Sequence, residues 1–157
     1  MYKRTLDLRE LSGKKSVFLF GPRSTGKTTL LRSQFDNESI INLLRSSTFL
    51  SLSENPSRLR ERVDEIRRKS RTIIIDEIQK LPELLDEVHD LIETSDLHFI
   101  LTGSSARKLK RSGVNLLAGR AWQANLYPLT STEIPDFNIE KYLLYGGLPQ
   151  VYSSDYP

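Results

Sequence analysis

The chain has 157 residues, enough for one domain with a substantial buried core. It contains no cysteine, which excludes disulfide staples, thiol catalysis, cysteine-ligated zinc and iron–sulfur clusters. Its 38% apolar and 27% charged residues fit a soluble globular protein, and no stretch approaches the ~18–20 uninterrupted apolar residues of a membrane span. The N-terminus has no apolar run before Val17 and no small-residue cleavage site, which predicts a cytoplasmic protein with no membrane partner. The 23 basic and 20 acidic residues leave a net +3, too little for a chain built to coat nucleic acid.

In chain order, the first element is the apolar run 17–20, read as a strand buried on both faces. It leads into Gly21-Pro22-Arg23-Ser24-Thr25-Gly26-Lys27-Thr28, a match to G-x-x-x-x-G-K-[ST], and a helix is expected over 27–35. Glycines let such a loop curl so that successive N–H groups point at phosphate oxygens, and the positive end of the helix faces the same anion. Residues Gly21, Pro22, Arg23, Ser24, Thr25, Gly26, Lys27, Thr28 and Thr29 are therefore the candidate nucleotide-binding set. Lys27 is expected to reach the β- and γ-phosphates, and the Thr28 hydroxyl to ligate magnesium. A second strand is predicted over 40–43 and a helix over 57–69. Arg58, Arg60, Arg62, Arg67, Arg68, Lys69 and Arg71 lie on or after that helix, interleaved with Glu61, Asp64 and Glu65. That mixture reads as a solvated, salt-bridged helix rather than a nucleic-acid face.

The third strand, 73–75, ends in Asp76-Glu77. A carboxylate at the tip of a neighbouring strand is where the magnesium of a P-loop needs a partner, so Asp76 joins Thr28 as a candidate metal ligand. Glu77 can polarise an attacking water, and general-base help of this kind is worth about 10²–10⁴ in rate. A helix over 82–93 precedes the fourth strand, 99–101, which closes on Thr102-Gly103-Ser104-Ser105. Thr102 is the candidate contact to the γ-phosphate or the water. The helix predicted over 106–116 carries the basic run Arg107-Lys108-Leu109-Lys110-Arg111, and a weaker fifth strand is predicted over 122–126, with Trp122 and Tyr127 packing it. Just before that strand, Arg120 offers a guanidinium; supplied to a γ-phosphate, such a group is worth about 10³–10⁵ in rate. Whether it serves its own subunit, serves a neighbour in a homo-oligomer, or is a structural arginine paired with an acidic residue is left open. His89 and His98 lack ligand spacing and read as structural. Alternating strands and helices imply an α/β domain with a mostly parallel sheet. No N-K-x-D sequence occurs, which favours ATP and ADP over guanine nucleotides.

Five stretches carry a resemblance: 20–30, 75–84, 101–105, 117–120, and Tyr127-Pro128-Leu129 with Glu133. The chain resembles the AAA-type ATPases of the archaeal-ATPase-like group. The resemblance implies a three-layer P-loop domain with a sheet in the order 5-1-4-3-2, and hydrolysis of ATP with Mg2+. Members of that group are longer, so residues 1–157 are expected to be the ATPase part, with Tyr145-Gly146-Gly147-Leu148-Pro149 leading into a helical lid and a C-terminal domain.

Two function classes follow. One is an ATP hydrolase that drives a conformational change in an appended domain or in a DNA or protein partner. The other is a nucleotide-regulated binding switch, DNA-associated in one version, with little turnover. Glu77 favours the first, because a pure binding module has no use for an acid beside Asp76. A small-molecule kinase fits less well, since the Arg-rich lid it needs is poorly met.

Overall fold

Apolar runs with no polar face belong at the centre of a sheet covered on both sides. The computed structural model describes residues 2–111 and 117–154 and places three such runs in that position. Its elements are α1 (Leu8–Ser12), β1 (Ser16–Phe20), α2 (Lys27–Gln34), β2 (Ile40–Asn42), α3 (Ser46–Glu54), α4 (Arg58–Ile66) and β3 (Thr72–Asp76). They continue with α5 (Leu84–Thr94), β4 (His98–Gly103), α6 (Ala106–Arg111), β5 (Ala121–Asn125), α7 (Ile139–Tyr145) and α8 (Pro149–Tyr152). The sheet order is β2-β3-β4-β1-β5, which read from the other edge is the expected 5-1-4-3-2. All four pairings are parallel, so every strand ends at the same edge. Register sets Phe20 level with Gly103 and Asn125, and Asp76 level with Asn42.

Alternation along the strands divides the core between the two faces. Phe18, Phe20, Ile73, Ile75, Phe99 and Leu101 pack with Leu59 and Val63 of α4 and Leu84, Leu85 and Val88 of α5. Leu19, Ile74 and Ile100 pack on the other face with Leu8 of α1 and Leu30 and Leu31 of α2. Burying each such side chain contributes about 1.5–3 kcal/mol, so the strand ends that carry the loops are firmly held. A smaller cluster of Leu129, Ile134 and Tyr152, flanked by Tyr2, Phe137 and Tyr142, joins the N-terminal segment to α7 and α8.

The α2, α4 and α5 helices differ from their expected bounds only at the ends. The helix expected over 106–116 is present through Arg111, and its remainder lies outside the described residues. Of the basic run on it, Arg107 is exposed, while the side chains of Lys108, Lys110 and Arg111 lie outside the description. Trp122 and Tyr127 do not pack the fifth strand as expected: they are 41% and 63% exposed. The reason is that β5 is an edge strand paired on one side only, and its burial is correspondingly partial. The basic α4 region is salt-bridged: Arg60 pairs with Glu87 and Asp90, Arg67 with Asp64, Lys69 with Glu38, and Arg71 with Asp96. Among the described residues, no helix is long and apolar enough to cross a membrane.

Candidate functional site

The loop leaving β1 turns back on itself through two left-handed residues, Ser24 (φ 64°) and Gly26 (φ 92°), before α2 begins at Lys27. Its first residue must be glycine, because a Cβ on Gly21 would lie 2.3 Å from the Leu126 carbonyl oxygen. Pro22, Arg23 and Ser24 are exposed at the rim, as is Thr29 in the first turn of α2, whereas Thr25 and Lys27 are buried. Thr25 Oγ1 donates to the Pro22 carbonyl at 2.9 Å, closing the loop across its base. Lys27 Nζ donates to the carbonyls of Gly21 at 2.7 Å and Pro22 at 2.9 Å, so the loop wraps its own lysine. Burial lowers the Lys27 pKa from its ordinary value, with the charges of Glu77 and Asp76 opposing the shift and Arg23 adding to it.

Asp76, at the end of β3, is fully buried and organises the opposite wall. Its Oδ2 accepts from Thr28 Oγ1 at 3.1 Å, and its Oδ1 from Thr102 Oγ1 at 2.5 Å. The Thr102 oxygen in turn accepts the Glu77 backbone N–H at 3.0 Å. Glu77 itself is left-handed (φ 66°, ψ 45°). That conformation costs a non-glycine residue about 1–3 kcal/mol and persists only where surroundings over-determine it, as the Thr102 hydroxyl and Gln79 do here. The sharp turn brings Gln79 back onto Glu77, where its Nε2 donates to Glu77 Oε2. Gln79 Oε1 is buried and without a hydrogen-bond partner among the described residues. Gly103 makes room for this carboxamide, since a Cβ there would meet Gln79 Oε1 at 2.9 Å.

Sequence reasoning did not single out Gln79. Its place two residues after Glu77, in a turn too short to carry it away, was the available signal. It also missed Arg4, whose Nη1 donates to the Thr25 carbonyl at 2.8 Å, Nη2 to the Tyr127 carbonyl at 2.6 Å and Nε to Glu133 Oε1 at 3.0 Å. Nothing local marks a lone arginine near a chain start.

The donor set suits magnesium. Thr28 Oγ1 and Asp76 Oδ2 are hard oxygens 3.1 Å apart, close to the ~3 Å between adjacent oxygens on an octahedral ion with bonds of about 2.0–2.1 Å. No group of three or more His, Cys, Asp or Glu able to hold a metal occurs among the described residues. Two protein oxygens plus phosphate and water is the way Mg2+ is commonly held, in contrast to an all-protein cage.

Thr28, Asp76, Glu77, Thr102 and Lys27 are thus brought together, but Arg120 is not. It precedes Ala121, which is level with Ser16 at the far end of β1. Five residues of extended chain at ~3.3 Å each separate that end of the sheet from Gly21. There the Arg120 guanidinium pairs with Glu93 on α5, which holds the Glu93 carboxyl below its usual value.

No curated protein matches the chain. Among solved structures, domain III of the Thermotoga maritima replication initiation protein DnaA matches at 19% identity and a TM-score of 0.45, over 79% of this chain and 60% of that one. The C. elegans PCH-2 structure matches at 18% identity and a TM-score of 0.46, over 98% of this chain and 49% of that one. This chain therefore spans less than two thirds of either. The model of the AAA domain family matches residues 13–135, a stretch that holds the P-loop, Asp76, Glu77, Thr102 and all five strands. The chain belongs to the AAA domain family.

Proposed function

We propose that this domain hydrolyses ATP with Mg2+ and uses the cycle to move an appended domain or a partner, whether protein or DNA. The observation that carries the reading is the contact between Thr28 and Asp76 beside a lysine-filled phosphate loop, with Glu77 next in the chain. Lys27 now donates to two neutral carbonyls. Exchanging them for charged phosphate oxygens is favourable, because charge-assisted hydrogen bonds are roughly twice as strong. Gly21 to Thr29 supply the loop and the positive end of α2. Thr28 and Asp76 would hold Mg2+, which when bound neutralises charge on the β- and γ-oxygens.

Glu77 acts as base. With Oε2 tied to Gln79, its other oxygen is available to accept the water proton as the water oxygen bonds to the γ-phosphorus. The bond to the β–γ bridging oxygen breaks, and ADP and phosphate leave. Thr102 fixes the Asp76–Glu77 turn and lies beside the reacting phosphate. Arg120 lies beyond reach of its own P-loop, so we assign it to a neighbouring subunit of a homo-oligomer. A setting in the cytoplasm agrees with this chemistry, which needs cellular ATP.

The clamp of Gln79 on Glu77 also suits a second reading, a nucleotide switch that turns over slowly. Single-turnover phosphate release from Mg-ATP tests both. Release by the parent and none by Lys27→Ala supports hydrolysis. Binding without release supports the switch.

A further inference from the structure

We propose that Arg4 is a positioning residue for the phosphate-binding loop, acting through the Thr25 carbonyl. It rests on the P-loop being the nucleotide site, and it assigns a role to a residue outside the 13–135 family match. A trans peptide plane carries its C=O and the following N–H on opposite sides. Arg4 Nη1 holds the Thr25 carbonyl outward at 2.8 Å. The Gly26 N–H of the same plane therefore points the other way, into the concave face where a phosphate oxygen is received. Thr25 sits between the two left-handed residues Ser24 and Gly26, the part of the loop whose alternatives are most numerous without an external restraint.

Arg4 can restrain that plane because it is itself held. Its side chain and that of Glu133 are only 8% and 3% exposed. Glu133 Oε1 accepts Arg4 Nε at 3.0 Å, the Thr5 N–H at 2.9 Å and Thr5 Oγ1 at 3.2 Å, while Oε2 accepts the Thr130 N–H at 3.1 Å. The remaining arm of the guanidinium, Nη2, is taken by the Tyr127 carbonyl at 2.6 Å. Three donors in a rigid planar fork reach three acceptors on three separate segments, which a lysine cannot reproduce. Pro149 completes the surround: its Cγ and Arg4 Nη1 both lie 4.0 Å from where a Gly26 Cβ would stand. Tyr127 and Glu133 thus set the guanidinium, and the guanidinium sets the loop.

The test measures Mg-ADP affinity by titration and the single-turnover rate of pre-bound Mg-ATP in the parent, Arg4→Ala and Arg4→Lys. Both variants are expected to bind Mg-ADP about tenfold more weakly or worse, since a loop that must be ordered on binding loses affinity. The single-turnover rate should change by less than the affinity does. Guanidinium ion at sub-denaturing concentration should restore affinity to Arg4→Ala and leave the parent unchanged. If Arg4→Ala fails to fold, Arg4→Lys, which keeps a cation opposite Glu133, is read by the same two measurements. A folded variant with parental Mg-ADP affinity, however low its Tm, overturns the inference, because a merely structural strap would leave affinity alone. No Mg-ADP binding by the parent overturns the nucleotide-site reading and this inference together. Parental binding in the variants overturns only this one.

Discussion

Two regions of this molecule use the same residue types for different ends. On the surface of α4 and its flanks, Arg71–Asp96 is a 2.8 Å ion pair with both side chains more than 80% exposed. Behind the P-loop, Arg4–Glu133 is a 3.0 Å pair with both side chains below 10% exposed. Water screens the first pair and competes for its partners, so such contacts contribute little. The second pair has neither screening nor substitutes, so losing one partner strands the other. Length of contact does not separate the two regions; burial and the number of additional hydrogen bonds do. The site obeys the second logic: Asp76, Thr102 and Lys27 are all buried, with Thr102 bonded to Asp76 and Lys27 to the carbonyls of Gly21 and Pro22.

The largest effect should come from inside the site. Glu77→Gln keeps the shape of the carboxyl and removes its basicity, so phosphate release should slow by about 10²–10⁴ while Mg-ATP binding persists. Parental turnover in that variant would transfer the base to another group. Next, Glu133→Ala should cost about 3–5 kcal/mol, the usual penalty for leaving a buried partner charge uncompensated, measurable by urea unfolding. Its pH dependence has a definite sign. Burial would raise the Glu133 pKa, but the amides of Thr5 and Thr130 and the Arg4 guanidinium together outweigh it and leave it lowered. A lowered carboxyl stabilises the fold fully above its unfolded value of about 4.3 and loses that contribution as pH falls through the folded value. The stability gap between parent and Glu133→Gln should therefore narrow below about pH 4. A constant gap would mean that packing, and not charge, carries the interaction.

A smaller effect is expected from Lys27→Ala. At 100 times its Kd, Mg-ADP should add about 2.7 kcal/mol to the parent, seen as a rise in Tm, and most of that rise should vanish in the variant. At the bottom of the scale, Arg71→Ala should leave the melting curve unchanged. A clear drop in Tm there would collapse the contrast between the two regions.

The sequence made the centre of the site readable because parallel strands covered on both faces cannot hide a polar residue. Ile73 to Ile75 and Phe99 to Leu101 are apolar throughout, so the polar residues that end them, Asp76 and Thr102, stood out with the glycines and lysine of the loop. The parallel direction followed from the same runs and the helices between them, whereas the sheet order rested on the resemblance to AAA-type ATPases. Arg4 and Glu133 carry no such signal, since the bond between them closes across 129 positions of chain. α3 reads Ser-Ser-Thr-Phe-Leu-Ser-Leu-Ser-Glu, and its helical apolar spacing is thinned by serines that favour caps and turns. α7 has no buried residue, so packing left no stripe in its sequence. Arg120 shows a different limit: its residue type was legible, but its place at the far end of β1 depends on strand register.

A threonine hydroxyl owns one proton, and Thr102 directs that proton to Asp76 Oδ1 while its lone pair receives the Glu77 N–H. It therefore has nothing to offer a phosphate oxygen until Asp76 finds another electrophile. A divalent cation on Asp76 Oδ2 would draw negative charge off the carboxylate and weaken the hold of Oδ1 on the Thr102 proton, and the loosened hydroxyl could then turn toward the γ-phosphate. Events at the two walls of the pocket would become sequential: cation first, hydroxyl second. Nucleotide presented without a divalent ion would meet a wall whose hydroxyl protons, those of Thr28 and Thr102, are both committed to Asp76. Thr102→Val, which has no proton to redirect, would abolish that order and leave the cation and the γ-phosphate to be sensed independently.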